Sequence, residues 1–379
     1  MKSRVALIPC DSYDEEKVYA AVKEGFSLLG GVNKFVKPED RLLVKVNALS
    51  NSRPEKGITT NPAVFGAVLR CLREDGICNI KYGDSPGNPL TDPKGAMKDT
   101  GLLAVGEKYG AVIGNFSEAE SVKYKEGKKA KSFLLCKAAG EADVIFDVCK
   151  MKTHALTKIT GAIKNQYGFI YGLNKAAGHA RYTNSKTFSE MLVDLNRCLG
   201  IRLHIMDGVV AMEGNGPASG DLVNMNVILM SEDPVALDSV FSKLVFLDPE
   251  MVYPCVAGEK YGLGTMNYDN IEILTPEGEI SAKEAAAKYG KPDFNVERKL
   301  RKTWSIPILN QLGRKYHDRP VANLDVCIGC GVCEEACPVD GKAVHSGKGK
   351  KAEYNYKKCI RCYCCQEMCP VGAIKKDKK

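Results

Sequence analysis

Hydrophobic and polar positions alternate regularly along residues 5–290, where short apolar, β-branched runs are separated by longer amphipathic segments. In the first unit, residues 5–9 form a predicted strand. Residues 11–31 form a predicted helix with acidic residues in its first turn and Gly30-Gly31 at its end. Strands that alternate with helices in this way are typical of βαβ units. The pattern therefore predicts an α/β domain with a mainly parallel sheet flanked by helices.

The same pattern predicts the remaining elements of this domain. Further strands are predicted at residues 42–46, 79–83, 112–116, 144–148, 203–207, 226–230 and 271–274. Further helices are predicted at residues 62–73, 188–199, 234–246 and 281–289.

The chain of 379 residues is longer than one hydrophobic core usually supports, so more than one domain is expected. After residues 1–290, the segment 291–320 is basic and interrupted by prolines, and it contains the only tryptophan, Trp304. Cysteines then become dense in residues 321–379. We interpret these parts as a large α/β domain, a basic linker and a small cysteine-rich domain.

The cysteines of the small domain repeat one spacing twice. Residues 327–338 and residues 359–370 both fit C-x2-C-x2-C-x3-C-P, the run by which bacterial ferredoxins hold two [4Fe-4S] clusters. Three cysteines of each run bind one cluster, and the fourth binds the other cluster. The predicted ligands are Cys327, Cys330, Cys333 and Cys369 for one cluster, and Cys359, Cys362, Cys365 and Cys337 for the other.

This spacing predicts a small α+β domain of the bacterial ferredoxin type, in which Cys364 is left without a cluster to bind. The alternative is a pair of zinc sites. Zinc sites usually pair two C-x-x-C units and do not require a three-cysteine run followed by C-P, so iron is favoured.

Composition agrees with a folded, intracellular metalloprotein. Hydrophobic residues make up 44% and charged residues 26% of the chain, as in ordinary globular proteins. No apolar run suits a signal peptide or a membrane span, so we expect a cytoplasmic protein whose cysteines bind metal rather than form disulfides.

The net charge of +8 does not by itself indicate nucleic-acid binding. Much of it lies in residues 123–131, 291–319 and 375–379, and no reading helix, stacking motif or zinc finger accompanies it. Lysines near the predicted clusters can instead balance the negative charge of the thiolates and sulfides. We therefore expect no nucleic-acid partner.

Residues 149–182 are the densest polar stretch of the large domain, and they begin where a predicted strand ends. Open α/β sheets bind ligands at such strand ends, and cationic side chains suit a carboxylate or phosphate. We predict His154 and Lys164 as catalytic residues. The predicted contacts of an anionic small-molecule substrate here are Lys152, Asn165, Lys175, His179 and Arg181. The alternative is a solvated basic helix face with glycine-rich loops.

A second polar stretch, residues 207–220, also follows a predicted strand. Its glycines are spaced G-x-G-x-x-x-G and a strand is predicted to follow, so we exclude NAD or FAD binding by this segment. Asp207 and Glu213 are candidates for acid–base or cation-binding roles, unless they only cap turns. Lys45 and Asn47, after another strand, are further predicted substrate contacts.

The sequence resembles proteins of the domain of unknown function 362 family, which are often fused to a C-terminal ferredoxin. The likeness covers nearly the whole chain and rests on KVN at residues 45–47, TTNP at 59–62, KMKTH at 150–154, TGAIKNQYG at 160–168, DGVVAMEGNGP at 207–217 and DPVALD at 233–238. The resemblance implies architecture and cluster content rather than a reaction. The fold is also distantly similar to the N-terminal part of nickel-pincer lactate racemase, from which no metal ligand carries over.

Three functions follow as hypotheses. The first is an iron–sulfur oxidoreductase in which two clusters deliver electrons to an anionic substrate or a bound cofactor. The second is a non-enzymatic electron-transfer or cluster-assembly protein, and the third is a racemase or isomerase with a regulatory ferredoxin domain. A redox partner protein, namely a ferredoxin, a flavodoxin or a reductase, is expected for the first.

Overall fold

The structure is a computed structural model that describes residues 2–87, 91–172, 174–299 and 318–377. The strands of the large domain are β1 (Ser3–Pro9), β2 (Leu42–Val46), β3 (Ile80–Gly83), β4 (Val112–Ile113), β5 (Ala119–Lys123), β6 (Ser132–Cys136), β7 (Val144–His154), β8 (Lys158–Thr160), β9 (Leu203–Glu213), β10 (Asp221–Ser231), β11 (Ile271–Thr275) and β12 (Gly278–Ile280). Its helices are α1 (Glu15–Leu29), α2 (Pro62–Glu74), α3 (Pro93–Asp99), α4 (Leu102–Lys108), α5 (Ala162–Asn165), α6 (Asn174–Arg181), α7 (Ser185–Leu199), α8 (Pro234–Leu244), α9 (Tyr253–Lys260) and α10 (Ala282–Tyr289).

Ten of the described strands form one mixed sheet in the order β12-β11-β1-β10-β9-β7-β2-β3-β4, with β8 paired to β7. The neighbours from β9 through β7, β2 and β3 to β4 run parallel, and so do β1 and β11. β10 runs antiparallel to both β1 and β9. The predicted mainly parallel α/β fold is confirmed, and β5 and β6 form a separate hairpin.

Helices cover both faces of the sheet because its central strands carry apolar side chains on both sides. One core contains Val18 and Phe26 of α1 together with Phe65 of α2. The other core contains Phe188 of α7 and Val240 of α8. The sheet is therefore the middle of three layers.

Short polar side chains mark the beginnings of the long helices. Asn61 accepts a hydrogen bond from the backbone N–H of Ala63 at the start of α2, and Asp233 accepts from Val235 and Ala236 at the start of α8. These contacts satisfy backbone donors that have no partner within the helix. TTNP and DPVALD thus include helix caps.

The two central strands are longer than predicted. β7 continues to His154 and β9 to Glu213, so parts of both polar stretches lie in the sheet rather than in loops. All eleven residues of β7 are buried, since partners on both sides extend with it. In contrast, β4 ends at Ile113 instead of residue 116.

The small domain has two short helices, α11 (Val332–Glu335) and α12 (Cys364–Glu367), and two antiparallel strand pairs. β13 (Arg319–Ala322) pairs with β16 (Ile374–Asp377), and β14 (Val344–Gly347) pairs with β15 (Lys350–Tyr354). Each helix follows the first two cysteines of one motif. This arrangement agrees with the predicted α+β ferredoxin domain.

The two domains are in direct contact through α12. The Gln366 amide nitrogen donates a hydrogen bond to Asn215 Oδ1 at 2.6 Å, and Asn215 Nδ2 donates to the Ile374 carbonyl at 3.2 Å. Residues 291–299 of the predicted linker contact the large domain, for example through Lys291 N–H and the Leu244 carbonyl. Trp304 lies outside the described residues.

Across the described ranges, every helix is too short or too polar to cross a bilayer.

Candidate active site between the two domains

A cavity lies where the large and small domains meet. Its empty volume is about 740 Å³, including the part that opens to solvent. The small domain contributes Glu335, Ala336, Cys364, Glu367 and Met368. The large domain contributes polar side chains of Asn47, Asp84, Lys164, Asn165, Lys175 and His179. The structure therefore brings five predicted site residues together at a surface completed by the ferredoxin domain.

Lys45 lies behind this lining in a buried ion pair. Its Nζ is 2.8 Å from Asp84 Oδ1 and donates to the Val46 carbonyl at 2.7 Å. Asp84 also accepts hydrogen bonds from the backbone N–H groups of Ala48 and Ser85. Lys45 therefore does not line the cavity itself. It holds the carboxylate of Asp84, which does line the cavity.

Lys175 closes one side of the cavity. Its Nζ donates to the Ser85 carbonyl and hydroxyl, both at 2.7 Å, and to the Pro86 carbonyl at 3.0 Å. All three ammonium donors are therefore used, and α6 is tied to the loop after β3. Burial lowers the pKa of Lys175 to about 8.

A chain of polar contacts crosses the sheet beneath the cavity. Lys152 Nζ donates to Asn47 Oδ1 at 3.0 Å, and Asn47 Nδ2 donates to Asn165 Oδ1 at 2.8 Å. Asn165 Nδ2 then donates to Asp147 Oδ1 at 2.6 Å. His204 Nδ1 is 3.0 Å from the other oxygen of Asp147. Because each side chain fixes the next, the two asparagines are held rigidly at the cavity wall.

His154 ends β7 and faces the small domain. Its Nδ1 accepts hydrogen bonds from the backbone N–H groups of Leu156 and Thr157, so the ring proton is on Nε2. Nε2 lies 2.9 Å from Glu367 Oε1. Neither atom has another hydrogen-bond partner among the described residues. Burial lowers the pKa of His154, so the ring is neutral at pH 7.

His179 presents a second neutral imidazole to the cavity. Its ring stacks on Phe188 with centroids 4.5 Å apart and meets Tyr167 edge-on at 5.4 Å. Burial lowers the pKa of His179 to about 4. Within the described ranges, its buried Nδ1 has no hydrogen-bond partner. A buried ring nitrogen without a partner is available to a bound molecule.

Lys164 and Glu367 face each other across the domain boundary, with Nζ 3.9 Å from Oε2. Burial opposes ionisation of the carboxyl group, but Lys164 and His154 hold the pKa of Glu367 well below its usual range. The lining carries two ammonium groups and three carboxyl groups, so it is less cationic than the sequence suggested. Of the two lysines, Lys164 has the looser contact, because Lys175 Nζ donates three hydrogen bonds whereas Lys164 Nζ is 3.9 Å from a carboxylate oxygen.

Asp207 lies away from the cavity lining. Its carboxylate is fully buried, 2.7 Å from Lys150 Nζ, and accepts hydrogen bonds from the Tyr13 hydroxyl and the Asn61 N–H. This set of contacts joins β7 and β9 to the starts of α1 and α2. The structure gives Asp207 a role in holding these elements together.

Glu213 and Arg181 also lie outside the lining. Glu213 Oε2 accepts a hydrogen bond from the Asn295 N–H at 2.8 Å and so holds the chain that leaves the large domain. Arg181 is exposed, with its guanidinium carbon 5.6 Å from the centre of the Tyr182 ring. Neither side chain belongs to the group of contacts that His154 and Lys164 make with Glu367.

Three site residues were missed by sequence reasoning about catalysis. Asp84 belongs to a DSPG turn, a weak signal, and Tyr167 belongs to the polar stretch but carries no charge. Glu367 lies between two cysteines of the second motif, at a position that the cluster spacing leaves free. No local pattern could have indicated that Glu367 faces another domain.

The cysteines of the small domain surround one apolar core. Cys333, Cys337 and Cys365 are buried in it, and Cys327, Cys359 and Cys369 pack against it. Backbone N–H groups donate to Sγ of Cys327, Cys337 and Cys369 at 3.3–3.4 Å. Sulfur ligands with such donors suit iron–sulfur clusters.

In the described part of the chain, no three His, Cys, Asp or Glu side chains converge as ligands of a single metal ion. The two motifs differ in exposure. Cys330 of the first is exposed, whereas its counterpart Cys362 in the second is only partly exposed, and the buried Cys364 of the second lines the cavity.

The fold and the cysteine core define the class of protein, an α/β domain fused to an iron–sulfur ferredoxin domain. Residues 42–243 match the family described as domain of unknown function (DUF362), and residues 319–370 match the 4Fe-4S dicluster domain. The chain belongs to the DUF362 family and is an iron–sulfur protein. The resemblance seen in the sequence is confirmed.

A curated relative is the thylakoid-associated protein sll1697 of Synechocystis sp., 33% identical over 265 residues that cover 69% of this chain and 81% of the relative. Among solved structures, the lactate racemase apoprotein of Thermoanaerobacterium thermosaccharolyticum has a TM-score of 0.43 at 14% identity, covering 62% of this chain and 55% of that chain. A Thermotoga maritima protein has a TM-score of 0.35 at 13% identity, covering 66% and 60%.

Proposed function

We propose that the protein is a ferredoxin-coupled oxidoreductase that transfers electrons to a small anionic substrate, or to a bound cofactor, in the cavity between its domains. One observation carries the proposal. Cys364 lines the cavity together with Lys164 and His179, and it lies between the predicted cluster ligands Cys362 and Cys365. A molecule in the cavity would therefore touch the chain segment that holds a cluster.

The proposed cofactors are two [4Fe-4S] clusters. When bound, they supply single-electron transfer, which no side chain of the cavity provides. The predicted ligands are Cys327, Cys330, Cys333 and Cys369 for the first cluster, and Cys337, Cys359, Cys362 and Cys365 for the second. In this assignment each cluster takes one cysteine from the other motif, so both motifs must fold together.

Lys164 is the proposed contact for a carboxylate or similar anionic group. Its Nζ is 3.9 Å from Glu367, beyond hydrogen-bonding distance, whereas the Lys175 ammonium group is fully used within the protein. A substrate anion can therefore bind Lys164 without breaking a strong internal contact. Asn165 and His179 line the same cavity and supply neutral polar groups that orient the rest of the molecule.

The cavity walls also limit access of water. Leu49, Ala176 and Met368 contribute apolar surface, and both domains must be in place to complete it. A site with low water content strengthens the ionic contact of Lys164 and protects a reactive product. Small polar metabolites suit this combination of a few polar groups and apolar walls.

The test uses the anaerobically purified, cluster-loaded protein. The clusters are reduced chemically, and the protein is challenged with a panel of small carboxylates and phosphorylated metabolites. Visible absorbance follows reoxidation, and mass spectrometry identifies the product. Lys164→Gln is compared with the matched control Lys186→Gln, an exposed lysine of α7. We expect Lys164→Gln to lower kcat/KM by about tenfold or more at unchanged iron content, whereas the control keeps full activity.

Other outcomes would identify the alternatives. Substrate-dependent reoxidation that is equal in Lys164→Gln and in the wild type would contradict the proposed site. Turnover without net electron consumption would indicate an isomerase with a regulatory ferredoxin. Electron exchange with proteins but with no small molecule would indicate an electron-transfer or cluster-assembly protein.

A further inference from the structure

A second functional surface lies on the small domain around the exposed ligand Cys330. We infer that this surface docks an acidic electron-carrier protein, which exchanges single electrons with the first cluster. The surface, called the exchange face below, consists of Leu324, Ile328, Cys330, Lys348, Lys350 and Lys351. None of these described residues lines the interdomain cavity. The inference rests on the proposed electron-transfer role but not on the identity of the substrate.

The apolar part of the exchange face is unusually exposed for aliphatic side chains. Ile328 is 60% and Leu324 is 50% exposed, and both lie in the loop that leads to Cys330. Cys330 itself is exposed, whereas the ligand Cys333 is buried. Adjacent apolar side chains beside a redox centre are typical of a surface that becomes covered in a complex.

The basic part of the exchange face is held against this loop by the backbone. Gly349, in the turn between β14 and β15, donates its N–H to the Gly329 carbonyl at 3.3 Å. Gly329 has φ +66°, and a Cβ there would meet the Gly349 backbone at 2.6 Å. Only glycine permits this approach, which places the turn beside Cys330.

Three lysines lie in or next to that turn. Lys351 Nζ donates to the Leu324 carbonyl and so ties the basic turn to the apolar loop. Lys348 and Lys350 are both exposed. Asp325 is the exposed carboxylate of the loop, so the lysines outnumber it.

The charge of the exchange face indicates the chemistry of its partner. A carrier with carboxylates around its redox centre would be attracted to Lys348 and Lys350, whereas a basic carrier would be repelled. The step itself moves one electron from the reduced carrier to the oxidised cluster, or in reverse, with no bond formed or broken. An acidic flavodoxin is therefore a suitable probe, and basic cytochrome c is the probe of opposite charge.

The experiment measures binding separately from catalysis. Biolayer interferometry gives the Kd of the cluster-loaded protein for flavodoxin, and stopped-flow absorbance gives the rate of electron exchange, without any substrate. Both are measured at about 50 mM and about 500 mM NaCl, where electrostatic attraction is weakly and strongly screened. The test variant is the double change Lys348→Gln and Lys350→Gln. The matched control is Lys123→Gln with Lys125→Gln, two exposed lysines of the large domain.

We expect the test variant to raise the Kd and lower the exchange rate about fivefold at low salt, with a smaller effect at high salt. Ile328→Ser should weaken binding to a similar extent at both salt concentrations, because its contribution is apolar. Iron content should stay unchanged in all variants. Equal effects of the test and control variants, a rate that does not depend on salt, or tighter binding of cytochrome c than of flavodoxin would each overturn the inference.

Discussion

Glu367 of the ferredoxin domain lies 2.9 Å from Nε2 of His154, the last residue of the longest buried strand of the large domain. Glu367 belongs to the short helix α12, between two cysteines of the second motif. The contact therefore places a cluster-binding segment directly on the polar end of the sheet. A site of this kind exists only while both domains are docked.

Removal of the Glu367 charge should loosen this docking. In Glu367→Gln, the ionic contact with Lys164 is lost and the polar contact with the neutral His154 ring is weakened, while the shape of the side chain is kept. We expect a local loss of about 1–2 kcal/mol, seen as roughly tenfold faster hydrogen exchange of the backbone amides in α12. Glu353→Gln, on an exposed strand of the small domain, is the control and should change nothing. Unchanged exchange in Glu367→Gln would show that this contact does not hold the domains together.

The buried pair of Lys45 and Asp84 should be essential for stability. Asp84→Asn leaves the Lys45 ammonium group buried without a counter-charge, so we expect the free energy of unfolding to fall by about 3–5 kcal/mol in urea titrations. Asp143→Asn, which breaks a half-exposed pair with Arg41, should cost less than about 1 kcal/mol.

A double variant tests the reason for the effect at Asp84. Lys45→Met combined with Asp84→Asn removes both charges, so it should recover part of the stability that Asp84→Asn loses. If the loss in free energy of unfolding in the double variant instead equals the sum of the losses in the two single variants, the unpaired charge is not the cause.

Measurement of iron content should distinguish Cys364, which is not a predicted ligand, from the cysteines that bind the clusters. Cys364→Ser keeps all eight predicted ligands, so we expect about eight irons per chain and an unchanged EPR signal after reduction. Cys365→Ser removes one predicted ligand and should lose about four irons. The two variants differ by one position, so each controls for the other. Equal iron loss in both would contradict the ligand assignment.

His179 should make stability depend on pH. Its pKa is lowered to about 4 in the folded protein, while the ordinary value is 6.5, so the unfolded chain binds more protons between these values. Stability therefore falls as pH decreases from about 6.5 towards 4. We expect a loss of about 2 kcal/mol from this group between pH 7 and pH 5.

Substitution of His179 tests whether this residue is the source of the pH dependence of stability. His179→Gln should remove it, so that its free energy of unfolding falls less steeply with decreasing pH than that of the wild type. Identical slopes in His179→Gln and the wild type would rule out a neutral buried imidazole as the source.

Sequence patterns predicted most of the architecture because each prediction depended on short-range chemistry. Apolar runs and amphipathic periods located the main strands and long helices, and caps such as Asn61 and Asp233 agree with the predicted helix starts. Strand ends were less predictable. β7 continues through Lys150 and Lys152 because its partners bury and pair these lysines, and this pairing has no local signal.

Some of the predicted site residues lie at the cavity and others do not, because the position of a residue at a strand end does not determine where its side chain points. Lys164 and His179 line one cavity, and His154 lines a neighbouring pocket but contacts Glu367 of the same cavity, since the same sheet edge and the following helices carry all three. Asp207 follows the same strand-end pattern, but its carboxylate turns to Lys150 and Tyr13. Side chains alternate between the two faces of a strand, so one polar stretch can serve two separate places.

The sequence alone determined the α/β class, the ferredoxin motifs and the cysteines expected to bind the clusters, because spacing along the chain encodes periodicity and ligand geometry directly. Only the tertiary structure decided that Glu367 and Cys364 complete the cavity, and that Lys45, Lys152 and Lys175 are committed to internal partners. These relationships join residues far apart in the chain. They arise from the way two separately encoded domains dock and bury their polar groups, which no local pattern specifies.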